Sequence, residues 1–366
     1  MEKKKVLIIV NTHFNLMLAI QLRRTILKDA EVDLFLGREA LYKVYKRGKL
    51  NAVFNNVFLV DDYNHKQTLR MFFFPKTFVK KTTQMNYIQY DAFFFWNLDW
   101  IIYNYFKASR SSKVEWHVYC DAVGGYLTDI PDGPPSYGNS IHGKVLSALD
   151  RIIWKWRPID QIEHDYYLFN PEYFLVKPTC EHKRIPSIDI NDRALIELLN
   201  EIWGYDFIPV KERVIYIDTG ESAKVGDDST YKSVVALAEM VGYDNIIIRP
   251  HPATRLDKYE FKDMHLMKSE YPFELFCLNG GLKNKLMVCN SSSAVLSLFV
   301  CFNMTPSVVT TISYIKYTHP SLTEKLHVFI RMISEKNSTL RYAHNDEELV
   351  ELVKDFLTNN EQNGRE

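Results

Sequence analysis

Residues 245 to 256 read NIIIRPHPATRL, and a short β-branched run within them leads directly into Arg249, Pro250, His251 and Pro252. β-Branched residues favour a strand, whereas two prolines around one histidine exclude the interior of a sheet and of a helix. The pattern therefore predicts a buried strand that ends here and holds an imidazole rigidly at its carboxyl end. Because open parallel sheets bind ligands beyond the carboxyl ends of their strands, His251 is a candidate functional residue.

Outward from this point, apolar runs alternate with segments of helical periodicity along the whole chain. This is the pattern of successive βαβ units that build a parallel sheet. The apolar runs are KVLIIV, VDLFLG, VFLVDD, YDAFFFWN and VEWHVYCD in the first half, and RVIYID, NIIIRP and KLMVC in the second. The sequence predicts an α/β protein with the GT-B arrangement, which is two Rossmann-like domains whose parallel sheets face a central cleft.

A break around residues 201–212, which contains Gly204 and Pro209, precedes the strand RVIYID. Glycine and proline punctuate structure, so we place the domain boundary there, with an N-terminal domain of residues 1–205 and a C-terminal domain of residues 206–366. The last predicted helix, DEELVELVKDFL, has acidic residues in its first turn, as the helix dipole prefers. This helix either stays with the second domain or packs back on the first.

Composition excludes several classes of protein. The chain has 366 residues, enough for two cores, and its 45 basic and 45 acidic residues give no sign of a nucleic-acid binder. Its five cysteines are odd in number and widely spaced, which indicates reduced thiols of a cytosolic protein rather than disulfides or a zinc site. The apolar run near the N-terminus is too short for a signal peptide or a membrane span. We therefore expect a cytoplasmic protein.

The sequence also lacks the common metal and nucleotide motifs. It contains no Asp-x-Asp triplet, no cluster of His, Cys and carboxylates with metal-ligand spacing, no Walker loop and no G-x-G-x-x-G fingerprint. We therefore expect no metal ion and no cofactor. A nucleotide bound by this chain would have its phosphate held by neutral donors and a histidine.

Two further loops at predicted strand ends carry polar residues. In YCDAVGGYL, Asp121 lies at a strand exit and can act as a general base or merely cap the next turn, while Gly124 and Gly125 let the backbone turn sharply. In CNSSSAVLSLF, residues 291–293 are serines between a strand and an apolar helix, where they can hold a phosphate or simply cap the helix. Upstream, Glu274 in YPFELF can accept hydrogen bonds from a ribose or pair with the helix dipole.

In order along nearly the whole chain, these motifs resemble those of the bacterial sialyltransferases of glycosyltransferase family 52, which decorate lipooligosaccharides and capsules. The opening VLIIVNTHFNLMLAI is similar to the family's first strand and loop, although residues 12–15 depart from its usual Thr-Pro-x-Gln-like motif. A second departure lies at Cys120, Asp121 and Ala122, where the family has two acids and a glycine. The departure leaves the expected base in place.

The resemblance implies an inverting, metal-independent transfer of sialic acid from CMP-sialic acid to a hydroxyl of a bacterial surface glycan. Asp121 then corresponds to the catalytic base, and His251 to the histidine that assists the departure of CMP. The residues assigned to donor binding are Thr219, Gly220, Glu221, Pro252, Glu274, Ser291, Ser292 and Ser293. The residues assigned to the acceptor or the cleft are Asn15, Gly124 and Gly125.

Several alternatives stay open. The donor could be a different activated group, including CDP-glycerol as in teichoic-acid polymerases, which also use a His-Pro loop and a serine cluster. The chain could instead be a non-catalytic nucleotide-sugar-binding protein of a capsule assembly complex, or an α/β protein whose motifs are only turns and caps.

The expected partners are a nucleotide-sugar donor, a glycan acceptor that is either free or lipid-linked, and a second copy of the chain in a homodimer. Nucleic acid is not among them. The segment Met71 to Lys81, MFFFPKTFVKK, is aromatic at one end and basic at the other. It fits either a peripheral contact with the inner face of the cell membrane or a packed loop.

Overall fold

The structure is a computed structural model that divides into two compact units, Met1–Pro186 and Ser187–Glu366. None of the described helices is long and apolar enough to cross a membrane. The residues that the structure describes are 2–37, 41, 44, 48–59, 74, 77, 90–96, 114–120, 122–127, 144–145, 148–149, 152, 164–175, 180–219, 229–251, 264–267, 270–314 and 320–363.

The first unit is built on a seven-stranded parallel sheet. Its strands are β1 (Lys5–Val10), β2 (Glu31–Leu36), β3 (Val57–Leu59), β4 (Ala92–Phe95), β5 (Glu115–Tyr119), β6 (His164–Leu168) and β7 (Glu181–Arg184). Its described helices are α1 (His13–Arg24) and α2 (Gly124–Leu127), with 3-10 turns at Lys49–Ala52 and Pro171–Tyr173. The strands lie in the order β3-β2-β1-β4-β5-β6-β7. The central strand β1 is apolar and almost wholly buried, which is typical of parallel strands covered on both faces.

The second unit is built on a six-stranded parallel sheet. Its strands are β8 (Val214–Ile217), β9 (Ile246–Arg249), β10 (His265–Leu266), β11 (Leu286–Cys289), β12 (Ser307–Thr310) and β13 (Leu340–Tyr342). Its helices are α3 (Arg193–Trp203), α4 (Ser229–Val241), α5 (Phe273–Leu278), α6 (Ser293–Val300), α7 (Pro320–Lys336) and α8 (Asp346–Asn363), with a 3-10 turn at Tyr243–Asn245. The strands lie in the order β10-β9-β8-β11-β12-β13.

Both sheets have the strand order of a Rossmann-like fold, so the predicted fold class of two parallel-sheet α/β domains is confirmed. In each sheet the chain first adds strands on one side and then returns to add strands on the other. The reversal falls between β1 and β4 in the first unit, and between β8 and β11 in the second. Such reversals open a crevice at the carboxyl edge of the sheet, where α/β proteins bind ligands. The predicted cleft between the domains stays a prediction.

The boundary between the units lies after Pro186, whereas the sequence placed it after residue 205. The difference arises because α3 packs on α5 and therefore belongs to the second unit. The side-chain amides of Asn200 in α3 and Asn279 beside α5 exchange two hydrogen bonds of 2.9 Å. The Gly204 and Pro209 that suggested a boundary instead end α3 and lead into β8.

The last helix, α8, packs within the second unit. Its Leu349 and Val353 join the core between the sheet and α4. Arg213, just ahead of β8, donates from Nη1 to the Leu357 carbonyl at 2.8 Å and lies over the Phe356 ring. Packing of this helix on the first domain stays a prediction.

Most of the segment Met71 to Lys81 lies outside the described residues. Of its members only residues 74 and 77 are described, and Phe74 is 64% exposed. The contact of this segment with a membrane stays a prediction.

Candidate functional site

Three polar side chains follow three neighbouring strands of the second sheet. The register places the last residues of β9, β8 and β11 in one row across the sheet. Two residues beyond this row come His251, Thr219 and Ser291. The ladder continues past the last paired residues, because the Asp218 N–H donates to the Arg249 carbonyl at 3.0 Å. These side chains therefore lie at the carboxyl edge of the sheet, beside the reversal between β8 and β11.

Three hydroxyl groups at this edge are buried and have no hydrogen-bond partner in the described part of the chain. Thr219 Oγ1 and Ser291 Oγ are buried atoms, and neither has a hydrogen-bond partner among the described residues. Thr311 follows β12 and is 1% exposed. Its Oγ1 is also a buried atom without a hydrogen-bond partner in the described part of the chain. Its N–H donates to the Cys289 carbonyl at 3.0 Å, which keeps it beside β11. Because buried polar atoms are nearly always bonded, three such hydroxyls on adjacent strands indicate a site for a hydrogen-bonding ligand.

Helix α6 begins beside these hydroxyls. Ser292 is its N-cap residue, but the Ser292 side chain makes no capping hydrogen bond. The first N–H groups of a helix have no partner inside the helix and carry partial positive charge, so an uncapped start favours an anion. Ser291 and Ser292 are buried, whereas Ser293 is exposed. The structure thus separates the three predicted serines into two at the buried helix start and one at the surface.

Glu274 lies in the first turn of α5 with only 7% of its surface exposed. Burial raises the pKa of its carboxyl, while its own backbone N–H and the positive charge of Arg249 oppose that rise. Arg249 is the last residue of β9, and its Nη2 donates to the Tyr271 carbonyl just ahead of α5. A buried acid beside a cationic side chain is typical of functional sites, and structural ion pairs share this feature.

A cavity of about 200 Å³ opens beside Arg249, within the second unit. The rings of Tyr205 and Tyr271 meet edge to face in its wall, with centroids 5.2 Å apart. Burial raises the pKa of Tyr205 to about 12, so this phenol stays neutral at physiological pH. The cavity therefore presents aromatic surface and one guanidinium group. Its remaining lining residues are Asp206, Ile208, Val210, Ile247, Leu266, Met267, Pro272, Phe273 and Phe276.

Some of the predicted site residues lie outside the described residues, and their roles stay predictions. They are Asp121, Gly220, Glu221 and Pro252. His251 itself is partly buried and follows the buried Pro250 directly after β9, where the sequence placed it.

The loop after β5 in the first unit is shaped by its backbone. Ala122 has φ of 46°, in the left-handed region that favours glycine. A Cβ atom on Gly125 would fall 2.7 Å from both Cα and Cβ of Cys120, so no side chain fits there without movement. A Cβ on Gly124 would meet only the Trp96 ring, at 3.7 Å. Of the two predicted glycines, only Gly125 lies so close to Cys120 that a side chain would clash.

Asn15, assigned to the acceptor or cleft, is buried in α1 and holds the turn from β1 into that helix. Its Oδ1 accepts from the Asn11 N–H at 3.4 Å, and its own N–H donates to Thr12 Oγ1 at 3.1 Å. These bonds give Asn15 a structural role at the start of α1. Its contact with an acceptor stays a prediction.

Sequence reasoning missed three polar residues that end strands of the second sheet. Asp218, Asn290 and Thr311 are each at most 3% exposed and directly follow β8, β11 and β12. The neighbouring Thr310 Oγ1 donates to the Asn290 carbonyl at 2.5 Å, whereas Thr311 Oγ1 has no hydrogen-bond partner among the described residues. The available signal for Asp218 and Asn290 was a polar residue immediately after an apolar run. Among the described residues, no group of three or more His, Cys, Asp or Glu side chains is placed to hold a metal ion.

No model of a known protein family matches the chain, and no curated protein matches it in sequence. Solved structures do match. An α/β-galactoside α-2,3-sialyltransferase from Photobacterium phosphoreum is 12% identical, with a TM-score of 0.51 over 93% of this chain and 99% of that one. UDP-GlcNAc 2-epimerase from Methanocaldococcus jannaschii is 12% identical, with a TM-score of 0.50 over 96% of this chain and 92% of that one.

A third match is Arabidopsis thaliana UGT89C1 complexed with UDP, 10% identical, with a TM-score of 0.51 over 97% of this chain and 91% of that one. Identities this low show the fold alone. The chain therefore has the two Rossmann-like domains of the GT-B fold, which is shared by transferases and epimerases of nucleotide sugars.

Proposed function

We propose that the protein is an inverting glycosyltransferase that moves sialic acid from CMP-sialic acid to a hydroxyl of a bacterial surface glycan, either a lipooligosaccharide or a capsule. The observation that carries this proposal is the set of buried hydroxyls of Thr219, Ser291 and Thr311, which have no hydrogen-bond partner among the described residues and lie beside the uncapped start of α6. Hydroxyl donors and helix amides are suited to the single phosphate of a nucleoside monophosphate. We propose that no metal ion or cofactor takes part.

The other groups of the second unit support a nucleotide in the same place. Glu274 lies in the first turn of α5, whose start is bonded to the end of β9 through Arg249, and a carboxylate there can accept hydrogen bonds from the two ribose hydroxyls. The aromatic cavity beside Arg249 is of a size and chemistry that suit a pyrimidine base. Phosphate, ribose and base would then be bound by residues from β8, β9, α5, β11 and β12.

In the proposed reaction, Asp121 removes the proton from the acceptor hydroxyl as its oxygen bonds to the anomeric carbon of the sugar. The bond from that carbon to the phosphate oxygen breaks through an oxocarbenium-like transition state, and CMP leaves. His251 donates a proton or a hydrogen bond to the departing phosphate, since imidazole changes charge near neutral pH. The hydroxyls and helix amides stabilise the negative charge that develops on that phosphate.

The first test is calorimetric titration of the protein with CMP, CDP and UDP, with and without magnesium. We expect CMP to bind most tightly and magnesium to leave its affinity unchanged. Ser291→Ala should weaken CMP binding about tenfold, because one hydrogen bond to a charged phosphate is lost. Ser334→Ala, which removes a partly buried serine hydroxyl on α7 that donates to the Arg331 carbonyl, is the control.

The alternatives give different results in the same experiment. A preference for UDP, or a strict need for magnesium, would contradict the proposed donor while leaving a nucleotide-dependent transferase. A preference for CDP would favour a CDP-activated donor such as CDP-glycerol. Binding of CMP without release of CMP from CMP-sialic acid in the presence of glycan acceptors would favour a non-catalytic binding protein.

A further inference from the structure

One carboxylate joins the loop after β12 to two helices of the second unit. Asp346, the first residue of α8, accepts at its Oδ1 from the Tyr314 hydroxyl at 2.9 Å and from Ser233 Oγ at 2.8 Å. Tyr314 lies three residues beyond Thr311, and Ser233 is a buried residue of α4. A single oxygen atom therefore connects the loop that carries Thr311, the start of α8 and the first half of α4.

Asp346 is not needed to cap its own helix. Asn345 precedes α8, and its Oδ1 accepts from the Glu348 N–H at 2.8 Å, which is the usual bond of an N-cap residue. The Glu348 carboxylate in turn accepts from the His344 N–H at 2.8 Å. These local bonds serve the start of the helix, so the Asp346 carboxylate is left to join elements that are far apart in sequence.

Tyr314 links this carboxylate to Thr311. Its ring packs against the core between the sheet and α4, and its hydroxyl donates to Asp346. Burial and the hydrogen bond to Asp346 raise the pKa of this phenol, so it keeps its proton at physiological pH and stays a donor. The Tyr314 N–H also donates to the Thr311 carbonyl at 3.2 Å, which closes a four-residue turn. The position of Tyr314 therefore constrains that of Thr311.

Both ends of this turn are held. At its beginning, the Thr311 N–H donates to the Cys289 carbonyl of β11 at 3.0 Å. At its end, Ser313 Oγ donates to the Ala343 carbonyl beside the contact of Tyr314 with Asp346. The Thr311 hydroxyl is buried and has no hydrogen-bond partner among the described residues. A side chain that meets a ligand must be held to within about 0.5 Å, and these contacts can supply that support.

We infer that Asp346 is a positioning residue, which holds the turn of residues 311–314 in the shape in which the Thr311 hydroxyl meets the phosphate of the nucleotide. The contact with phosphate rests on the proposed function. The hold of Asp346 on the turn does not, because its hydrogen bonds join groups of the protein alone.

The first part of the test needs no nucleotide. It compares D346A, which removes both hydrogen bonds, with D346N, whose amide oxygen can accept both. Glu347→Ala, at the next exposed acid in the first turn of α8, is the control for loss of a charge at the helix start. Hydrogen exchange of residues 311–314, measured by mass spectrometry, should be about fivefold faster in D346A, because the turn opens more often. It should be unchanged in D346N and E347A.

The second part tests the link to Thr311 by calorimetric titration with CMP. D346A should bind CMP about fivefold more weakly than wild type, and D346N should regain most of that affinity. In the T311V background, D346A should cause no further loss, because the hydroxyl through which Asp346 acts is already absent. A general structural role would instead lower the affinity by the same factor in both backgrounds.

Wild-type exchange of the turn in D346A, or equal losses of affinity in the two backgrounds, would overturn the positioning role. A D346N protein as weak as D346A would do the same. If D346A does not fold, Tyr314→Phe replaces it, since this variant removes one of the two hydrogen bonds and keeps the ring and the carboxylate. Wild-type exchange of the turn in Y314F then contradicts the inference. If wild-type protein binds no CMP, the proposed function fails, and exchange of the turn still decides whether Asp346 holds it.

Discussion

The loops at the carboxyl edges of the two sheets are constrained in different ways. In the first unit, the loop after β5 is fixed by its backbone, with Ala122 in a left-handed conformation and Gly125 pressed against Cys120. In the second unit, the edge carries buried side-chain hydroxyls, such as those of Ser291 and Thr311, that contribute no hydrogen bond within the described part of the protein. Backbone constraints hold a structure in place, whereas hydroxyls without a partner among the described residues are available to a ligand. Substitutions in the first loop should therefore change stability, and substitutions in the second should change binding.

The largest effect is expected for Gly125→Ala. The added methyl group would lie 2.7 Å from the Cα of Cys120, which is backbone and cannot rotate away. We expect the free energy of unfolding to fall by about 2–3 kcal/mol, measured by denaturant titration. Gly124→Ala, whose new Cβ meets a ring atom of Trp96 at 3.7 Å, should change it much less. If both variants lose the same free energy of unfolding, the close approach of Gly125 to Cys120 is not the cause of the loss.

The second effect concerns Thr311→Val, a substitution that keeps the shape of the side chain and removes its hydroxyl. Because the Oγ1 atom has no partner in the described protein, we expect the unliganded protein to gain up to about 1 kcal/mol in stability. Binding of CMP should weaken about fivefold to tenfold. Stability is measured by denaturant titration and affinity by calorimetry.

Thr310→Val is the matched control for that substitution. The Oγ1 of Thr310 donates to the Asn290 carbonyl at 2.5 Å and accepts from the Ile312 N–H at 3.3 Å, so its removal should lower stability. Opposite signs at adjacent threonines, together with weaker CMP binding by T311V, would show that the Thr311 hydroxyl serves a ligand. A loss of stability in both variants, with CMP affinity retained in T311V, would remove Thr311 from the site.

The smallest effect is expected for Ala122→Gly. A glycine adopts φ of 46° without the steric cost that alanine bears, which stabilises the folded protein. Glycine also gives the unfolded chain more conformational freedom, which offsets part of this gain. We expect a net gain of about 0.5–1 kcal/mol in the free energy of unfolding. Ala52→Gly, at an exposed residue of a 3-10 turn, should instead lower it, and a loss in both variants would argue against strain at residue 122.

The fold was largely predictable from the sequence. Each named apolar run coincides with a described strand, because parallel strands buried on both faces need nearly continuous apolar residues. The shorter or more polar strands β6, β7, β10, β12 and β13 were not predicted. The isoleucines before His251 form β9, with the histidine directly beyond it as expected. The position of the domain boundary was less predictable, since the Gly204 and Pro209 that break the chain lie between α3 and β8. Packing of α3 against α5 through Asn200 and Asn279 decides that boundary, and this contact joins residues far apart in sequence.

The site was predictable in part. The serines after β11 were recognisable because a run of hydroxyls between a strand and a helix is unusual. Thr311 was not, because nothing in the sequence distinguishes it from Thr310. The two differ only in the bonds that the fold gives them. The left-handed conformation of Ala122 could not be predicted from the sequence either, because alanine has no preference for it.

The central claim is that the hydroxyls at the edge of the second sheet bind the phosphate of a cytidine nucleotide. A crystal structure of the protein with saturating CMP tests it most directly. The account predicts phosphate oxygens within about 3.2 Å of Ser291 Oγ and at least one of Thr219 Oγ1 and Thr311 Oγ1, with Glu274 at the ribose. A phosphate bound elsewhere, with these hydroxyls satisfied by water or by other protein groups, would contradict it.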